Sequence, residues 1–168
     1  MIETKRLILK PLTYEQLLKY INADSSLEIE LKLNNTSREI SLELKEAFEE
    51  TILPNVADSS KDYLYNTLWS LILKIENKMV GDICIFGEPN YRGEIEIGYG
   101  TYNDFENNGY MTEAVGGIIE WAKTQTNVHS IVASTEKENV GSYRILEKNN
   151  FIKIGEKDSL IGWKLELK

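Results

Sequence analysis

The residues with the clearest chemical potential lie between Gly93 and Ala122, GEIEIGYGTYNDFENNGYMTEAVGGIIEWA. Glu94 and Glu96 alternate with Ile95 and Ile97, so both carboxylates share one strand face, about 7 Å apart. Carboxylates so placed can accept protons. Downstream, Met111, Ala114, Val115, Ile118 and Ala122 follow helical spacing. Between strand and helix runs a polar segment that ends in Gly109. A glycine at a helix start leaves first-turn N–H groups without intrahelical partners, at the positive end of the helix dipole, and so makes an anion seat. The alternative is a turn that needs Gly109 only for its backbone angles. A second helix start, Asn139-Val140-Gly141-Ser142, offers Asn139 as a cap and Ser142 as a hydroxyl.

The elements that must position these groups can be read along the chain. Arg6 to Leu12 reads as a strand stopped by Pro11, and Thr13-x-x-Gln16 as a capping box for a helix through Ile21. Leu27, Ile29, Leu31 and Leu33 alternate with polar residues and predict a strand. Thr36-x-x-Glu39 predicts a second capping box, for a helix that Pro54 ends, with a polar loop over 55–63. Two strands follow near 67–75 and 78–86, joined at Glu76-Asn77. A strand over 129–135 lies one helix after the strand at 94–102 and must run parallel to it. The chain closes with a hairpin, 151–155 and 163–167, around Lys157-Asp158-Ser159. The expected product is a single domain over 1–168, an α/β fold with a mixed, mostly antiparallel sheet of about seven strands flanked by about four helices.

Composition narrows the function. The chain has 168 residues and a net charge of −8, which argues against binding nucleic-acid backbone or anionic lipid. Residues 22–62 hold ten acidic and four basic residues, a net of −6, and predict attraction for a cationic partner. No apolar run approaches the roughly 20 residues of a membrane span, and the N-terminus lacks a basic-then-apolar leader, so the expectation is a cytoplasmic protein. One His and one Cys cannot furnish a typical zinc site, and no metal is expected. Cys84 reads as a buried small hydrophobe and His129 as a sheet-rim residue. P-loop, dinucleotide and G-x-S-x-G signatures are all missing.

Glu96-Ile97-Gly98-Tyr99 through Gly109-Tyr110-Met111-Thr112-Glu113-Ala114 resembles the GNAT superfamily of acyl-CoA-dependent N-acetyltransferases, and within it the branch of ribosomal-protein-alanine acetyltransferases. Ile2 to Leu9 and Asn139 to Phe151 fit the same pattern in the same order. The resemblance implies a strand that splays from its parallel neighbour after Tyr99, with acetyl-CoA as co-substrate in the gap. It implies cofactor contacts at Tyr99, Gly100, Thr101, Asn107, Asn108, Gly109, Tyr110, Met111, Thr112 and Asn139. Glu106 and Met111 depart from the family loop, which usually carries Gln or Arg at the first position and Gly or Ala at the second.

The same resemblance implies Glu96 as the base, acting through water on a primary amine. Ser142 is implied as the proton donor to the departing thiolate, with Tyr143 second, because Leu146 stands where many relatives carry a tyrosine. The acceptor is an amine, cationic if the acidic 22–62 region guides it. It could be a protein N-terminus or a small molecule, and the protein a monomer or homodimer. A catalytically degenerate acyl-CoA-binding module and an unrelated nucleotide binder are the competing readings.

Overall fold

The computed structural model describes residues 1–167. One sheet of eight strands forms its middle layer: β1 (Ile2–Glu3), β2 (Leu7–Pro11), β3 (Leu68–Leu73), β4 (Lys78–Ile85), β5 (Glu94–Thr101), β6 (Ser130–Glu136), β7 (Ile152–Lys157) and β8 (Leu160–Glu166). Their order across the sheet is β1-β2-β3-β4-β5-β6-β8-β7. Every pair is antiparallel except β5 with β6. The short β1 is a strand the sequence reading did not expect, and the strand expected at 27–33 is not in the sheet. β3, LWSLIL, is buried at every position, as a central strand covered on both faces must be.

Helices cover both faces because both faces are apolar. α5 (Tyr110–Thr124) and α6 (Val140–Lys148) pack on the side that carries Leu7, Leu9, Trp69, Leu71, Ile95 and Ile97. α1 (Tyr14–Asn22), α2 (Ser26–Leu31), α3 (Leu42–Ala47) and α4 (Leu53–Ala57) cover the other side, over Leu68, Ile72 and Met79. The capping box that opens α1 is complete: the Thr13 hydroxyl accepts from the Gln16 N–H, and Gln16 Oε1 accepts from the Thr13 N–H.

The segment 24–57 departs from the sequence reading, and the buried ion pair of Glu28 and Arg38 explains how. The strand expected over Leu27–Leu33 is instead helix α2. Leu27 and Glu28 are the buried residues there, while Ile29 is 74% exposed, so the apparent alternation is not a burial pattern. Arg38 is held inside by Glu28 and donates to the Tyr20 carbonyl oxygen (3.0 Å). That draws 33–41 into a non-helical crossing, and Thr36 caps nothing: its hydroxyl is buried without a partner among the described residues. Ser41 is the cap, accepting from the Leu44 N–H at 3.1 Å.

Nor does Pro54 end the helix. α3 widens into a π turn over Phe48–Ile52, where the Leu53 N–H reaches the Phe48 carbonyl five residues back, and continues as α4. Pro54, in the first turn of α4, needs no N–H there, and the widened turn accommodates its ring. The loop expected from residue 55 therefore starts at Asp58.

Candidate active site

Pairing between β5 and β6 stops early. Only Glu94 with Ser130, Ile95 with Ile131 and Glu96 with Val132 are in register. Past Glu96, β5 continues to Thr101 on β4 alone, and β6 continues to Glu136 on β8 alone. The sheet is thus split between them. Along β5, the Glu96 carbonyl accepts from the Phe86 N–H and the Tyr102 N–H donates to the Val80 carbonyl, so even-numbered residues turn their backbone groups toward β4. By strand alternation the N–H groups of Ile97, Tyr99 and Thr101 face the split.

On the α5–α6 side the split opens into a cavity of about 500 Å³. Tyr99, Gly100, Thr101, Asn107, Asn108, Gly109, Tyr110, Met111, Thr112, Asn139 and Ser142 all line it. Gly109 is in the left-handed region (φ +77°) and starts α5; Asn107, two residues earlier, is left-handed too (φ +62°). This bend brings the first-turn N–H groups of α5 to the cavity wall, where helix geometry leaves them without intrahelical acceptors. The Met111 side chain is buried in the core, so its bulk does not fill the seat. Glu106 also lines the cavity, with its side chain exposed to solvent.

The loop is held by residues the sequence reading did not single out. Arg6 donates to the Asn108 carbonyl (2.9 Å) and to Glu113 (2.6 Å), and its guanidinium stacks on the Tyr110 ring at 4.7 Å. Burial pushes the Glu113 carboxyl up, but hydrogen bonds from the Arg6 N–H, Thr4 and the Arg6 side chain outweigh it and hold the group below its ordinary range. Arg144 and Lys148 also line the cavity. They stand four apart on α6, on the face of Gly141 and Ile145, so helical spacing counted from Gly141 would have found them.

Asn139 caps α6, its Oδ1 accepting from the Ser142 N–H at 3.0 Å. The Ser142 hydroxyl lies 3.4 Å from the Tyr99 phenol, which spans the split and donates to the Ser142 carbonyl at 2.9 Å. Burial raises the Tyr99 pKa. Tyr143 is stacked on Trp163, and Leu146 is fully buried in the core. Of the hydroxyls considered on α6, Ser142 is the one beside the split.

Glu96 is not part of the cavity. It is exposed on the opposite face of β5, at the last paired position before the split. Glu94, two residues earlier on that face, is tied to Lys164 at 3.1 Å; Glu96 has no ion pair among the described residues. Cys84 is half-buried, not fully buried as expected; burial of its thiol first, then the Asp82 charge, pushes it up to about 12, and His129 is exposed just before β6. The described residues include no helix long and apolar enough to cross a membrane.

This arrangement has clear relatives. The uncharacterized N-acetyltransferase YjdG of Bacillus subtilis is 37% identical over 84 residues, a segment spanning half of this chain and half of that protein. Among solved structures, the ribosomal-protein-S5-alanine acetyltransferase of Vibrio fischeri superposes with a TM-score of 0.71 at 18% identity, covering 98% of this chain and 94% of that one. The RimL ribosomal L7/L12 alpha-N-protein acetyltransferase in complex with coenzyme A has a TM-score of 0.67 at 14% identity, covering 97% and 95%. At such identities the likeness is one of fold. The model of the acetyltransferase (GNAT) domain matches residues 6–152, and this chain belongs to the GNAT acetyltransferase family.

Proposed function

We propose that this protein is an N-acetyltransferase that moves the acetyl group of acetyl-CoA to a primary amine within a ternary complex. The observation that carries this reading is the split between β5 and β6, with an anion seat on one face and an unpaired carboxylate, Glu96, on the other. The residues suit the cofactor. The first turn of α5, with Arg144 and Lys148 on α6, suits a pyrophosphate, and the β5 backbone from Tyr99 to Thr101, with Asn139 and Ser142, would hold a pantetheine arm.

The chemistry follows from the two faces. The amine arrives from the Glu96 side as an ammonium ion and passes one proton, through water, to Glu96. Its nitrogen then attacks the thioester carbonyl carbon. The developing oxyanion meets the split-facing N–H of Tyr99 or Thr101. Ser142 gives its hydroxyl proton to the sulfur as the C–S bond breaks, and the proton still carried by the acylated nitrogen passes through water back to Ser142. Structural neighbours act on different amines: one is named for a ribosomal-protein alanine, another is a spermidine/spermine N-acetyltransferase. The shared feature is an amine that is protonated at neutral pH. A cytoplasmic setting, where acetyl-CoA is made and used, goes with this reading.

Calorimetric titration with CoA tests the seat, and mass spectrometry of an amine panel incubated with acetyl-CoA tests the transfer. Binding together with turnover that Glu96→Gln abolishes supports the reading. CoA binding without turnover on any amine leaves the binding module standing instead, and failure to bind CoA at millimolar concentration overturns both.

A further inference from the structure

The sheet face opposite the cavity holds a second carboxylate that the chemistry above does not use. Asp82 on β4 stands in a cross-strand row, Lys10, Ser70, Asp82, Gly100, running from β2 to β5. Its Oδ2 accepts from the Tyr20 phenol at 2.5 Å, and Tyr20 in turn lies 3.1 Å from the Tyr102 phenol. Oδ1 has no partner among the described residues. Next to it in the row, Ser70 is fully buried and its hydroxyl also lacks a partner. Protein groups therefore leave this polar row incomplete.

On its other side the row opens. A Cβ built on Gly100 would meet nothing within 4 Å, whereas one on Gly98 would lie 2.8 Å from the Phe86 ring. The result is a notch open over Gly100, with Asp82 beside it, continued past the Phe86 ring that covers Gly98 to Glu96, so that the path between the two carboxylates runs over an aromatic ring 59% exposed. Strand geometry puts the backbone positions of Gly100, beside Asp82, and Glu96 roughly 13 Å apart. Both carboxylates act on the Cys84 thiol between them. The facing groups are Tyr20 from α1, Tyr102 after β5, Cys84, Glu96, and the Arg38–Glu28 pair. The Arg38 charge reaches Asp82 from its place on the Tyr20 ring (4.5 Å), but Glu28 pairs with it, so the Arg38–Glu28 pair adds no net charge to the notch.

We propose that Asp82 is a specificity-determining residue: it binds a second cationic group of the acceptor, so that the notch selects amines carrying one positive charge beyond the reacting nitrogen. This rests on the acetyltransferase reading for the reacting end, at Glu96, but docking at Asp82 needs no transfer. Burial pushes the Asp82 carboxyl up to about 6, against the Tyr20 hydrogen bond and the Arg38 charge. It is charged at pH 8 and mostly neutral at pH 5, so the selection has a pH signature.

The probes are 1,5-diaminopentane and 1-aminopentane, which differ by one ammonium group, titrated calorimetrically into the full chain with and without saturating CoA. The expected result at pH 8 is at least tenfold tighter binding of the diamine. The preference should fall below twofold in Asp82→Asn, which keeps an acceptor for Tyr20, and below twofold in the wild type at pH 5. Asp82→Glu should retain part of it. Equal binding of the two probes, or a preference untouched by Asp82→Asn, overturns the inference. CoA binding without diamine preference defeats this inference alone; diamine preference without CoA binding defeats the acetyltransferase reading alone.

Discussion

The two faces of the split sheet present different kinds of chemical group. On the α5–α6 face the groups offered to a ligand are mostly main-chain: first-turn N–H groups behind Gly109 and split-facing N–H groups of β5. On the α1–α4 face they are side chains drawn from distant segments: Tyr20, Arg38, Asp82, Glu96 and Tyr102. A main-chain site depends on backbone angles and tolerates changes in side chains such as Glu106 and Met111. A side-chain site depends on each residue and is where acceptor preference can change while the fold persists.

The contrast can be broken most sharply at Glu96. Glu96→Gln should lower kcat by about 10² to 10⁴, the usual span for a general base, while the CoA dissociation constant stays the same. A comparable change in CoA affinity would join the two faces into one. Next in size is Arg38→Ala. Arg38 and Glu28 are each 2% exposed at the side chain, and removing one partner of a buried pair strands the other charge. The expected loss is about 3–5 kcal/mol in denaturant unfolding, with 33–41 becoming the first segment to exchange its amide protons.

Asp82→Asn should act in the opposite direction. Burial raises the folded Asp82 pKa from 3.8 to about 6, so between those values the native state binds more protons than the unfolded state. Stability then falls as pH rises from about 4 to 6 and stays lower above that. The variant should be more stable than the wild type at pH 7.5, by up to about 3 kcal/mol, because a tenfold difference in proton affinity between the two states is worth about 1.4 kcal/mol. The gain should vanish below pH 4. A variant less stable at neutral pH would mean that the Tyr20–Asp82 contact is structural support and not a functional cost.

The smallest effect is expected on the main-chain side. Gly109→Val forces a β-branched residue to φ +77°, at a cost of roughly 1–2 kcal/mol. CoA affinity should weaken about tenfold, by calorimetry, with little change in acceptor preference. Glu106→Gln, on an exposed side chain, should do less than that, and a larger effect would show that side chains govern this face too.

Local pattern made much of this legible. The switch of period from two to 3.6 around Gly109, the capping box at Thr13 and the Asn139 cap all depend on neighbours within four residues, and each is where the spacing put it. The order of strands 94–101 and 130–136 around one helix implied their parallel pairing. Segment 24–57 misled because its geometry answers to a partner outside the local pattern: Glu28 is drawn inward by Arg38, and alternation in the sequence carries no sign of that. Arg6 is similar, since it acts on a loop about a hundred residues downstream.

The sequence by itself determined the family, the βα loop with its unpartnered first-turn N–H groups, and the candidacy of Glu96 and Ser142, because motif spacing and backbone preference are local properties. A split after Tyr99 was implied by the resemblance; only the tertiary structure decided that it opens earlier, just past Glu96. Only it placed Tyr99 across the gap to Ser142, and set Asp82 in an open row beside Gly100. Those features are set by strand register and by side chains meeting across the fold, where residues far apart in the chain share one desolvated environment.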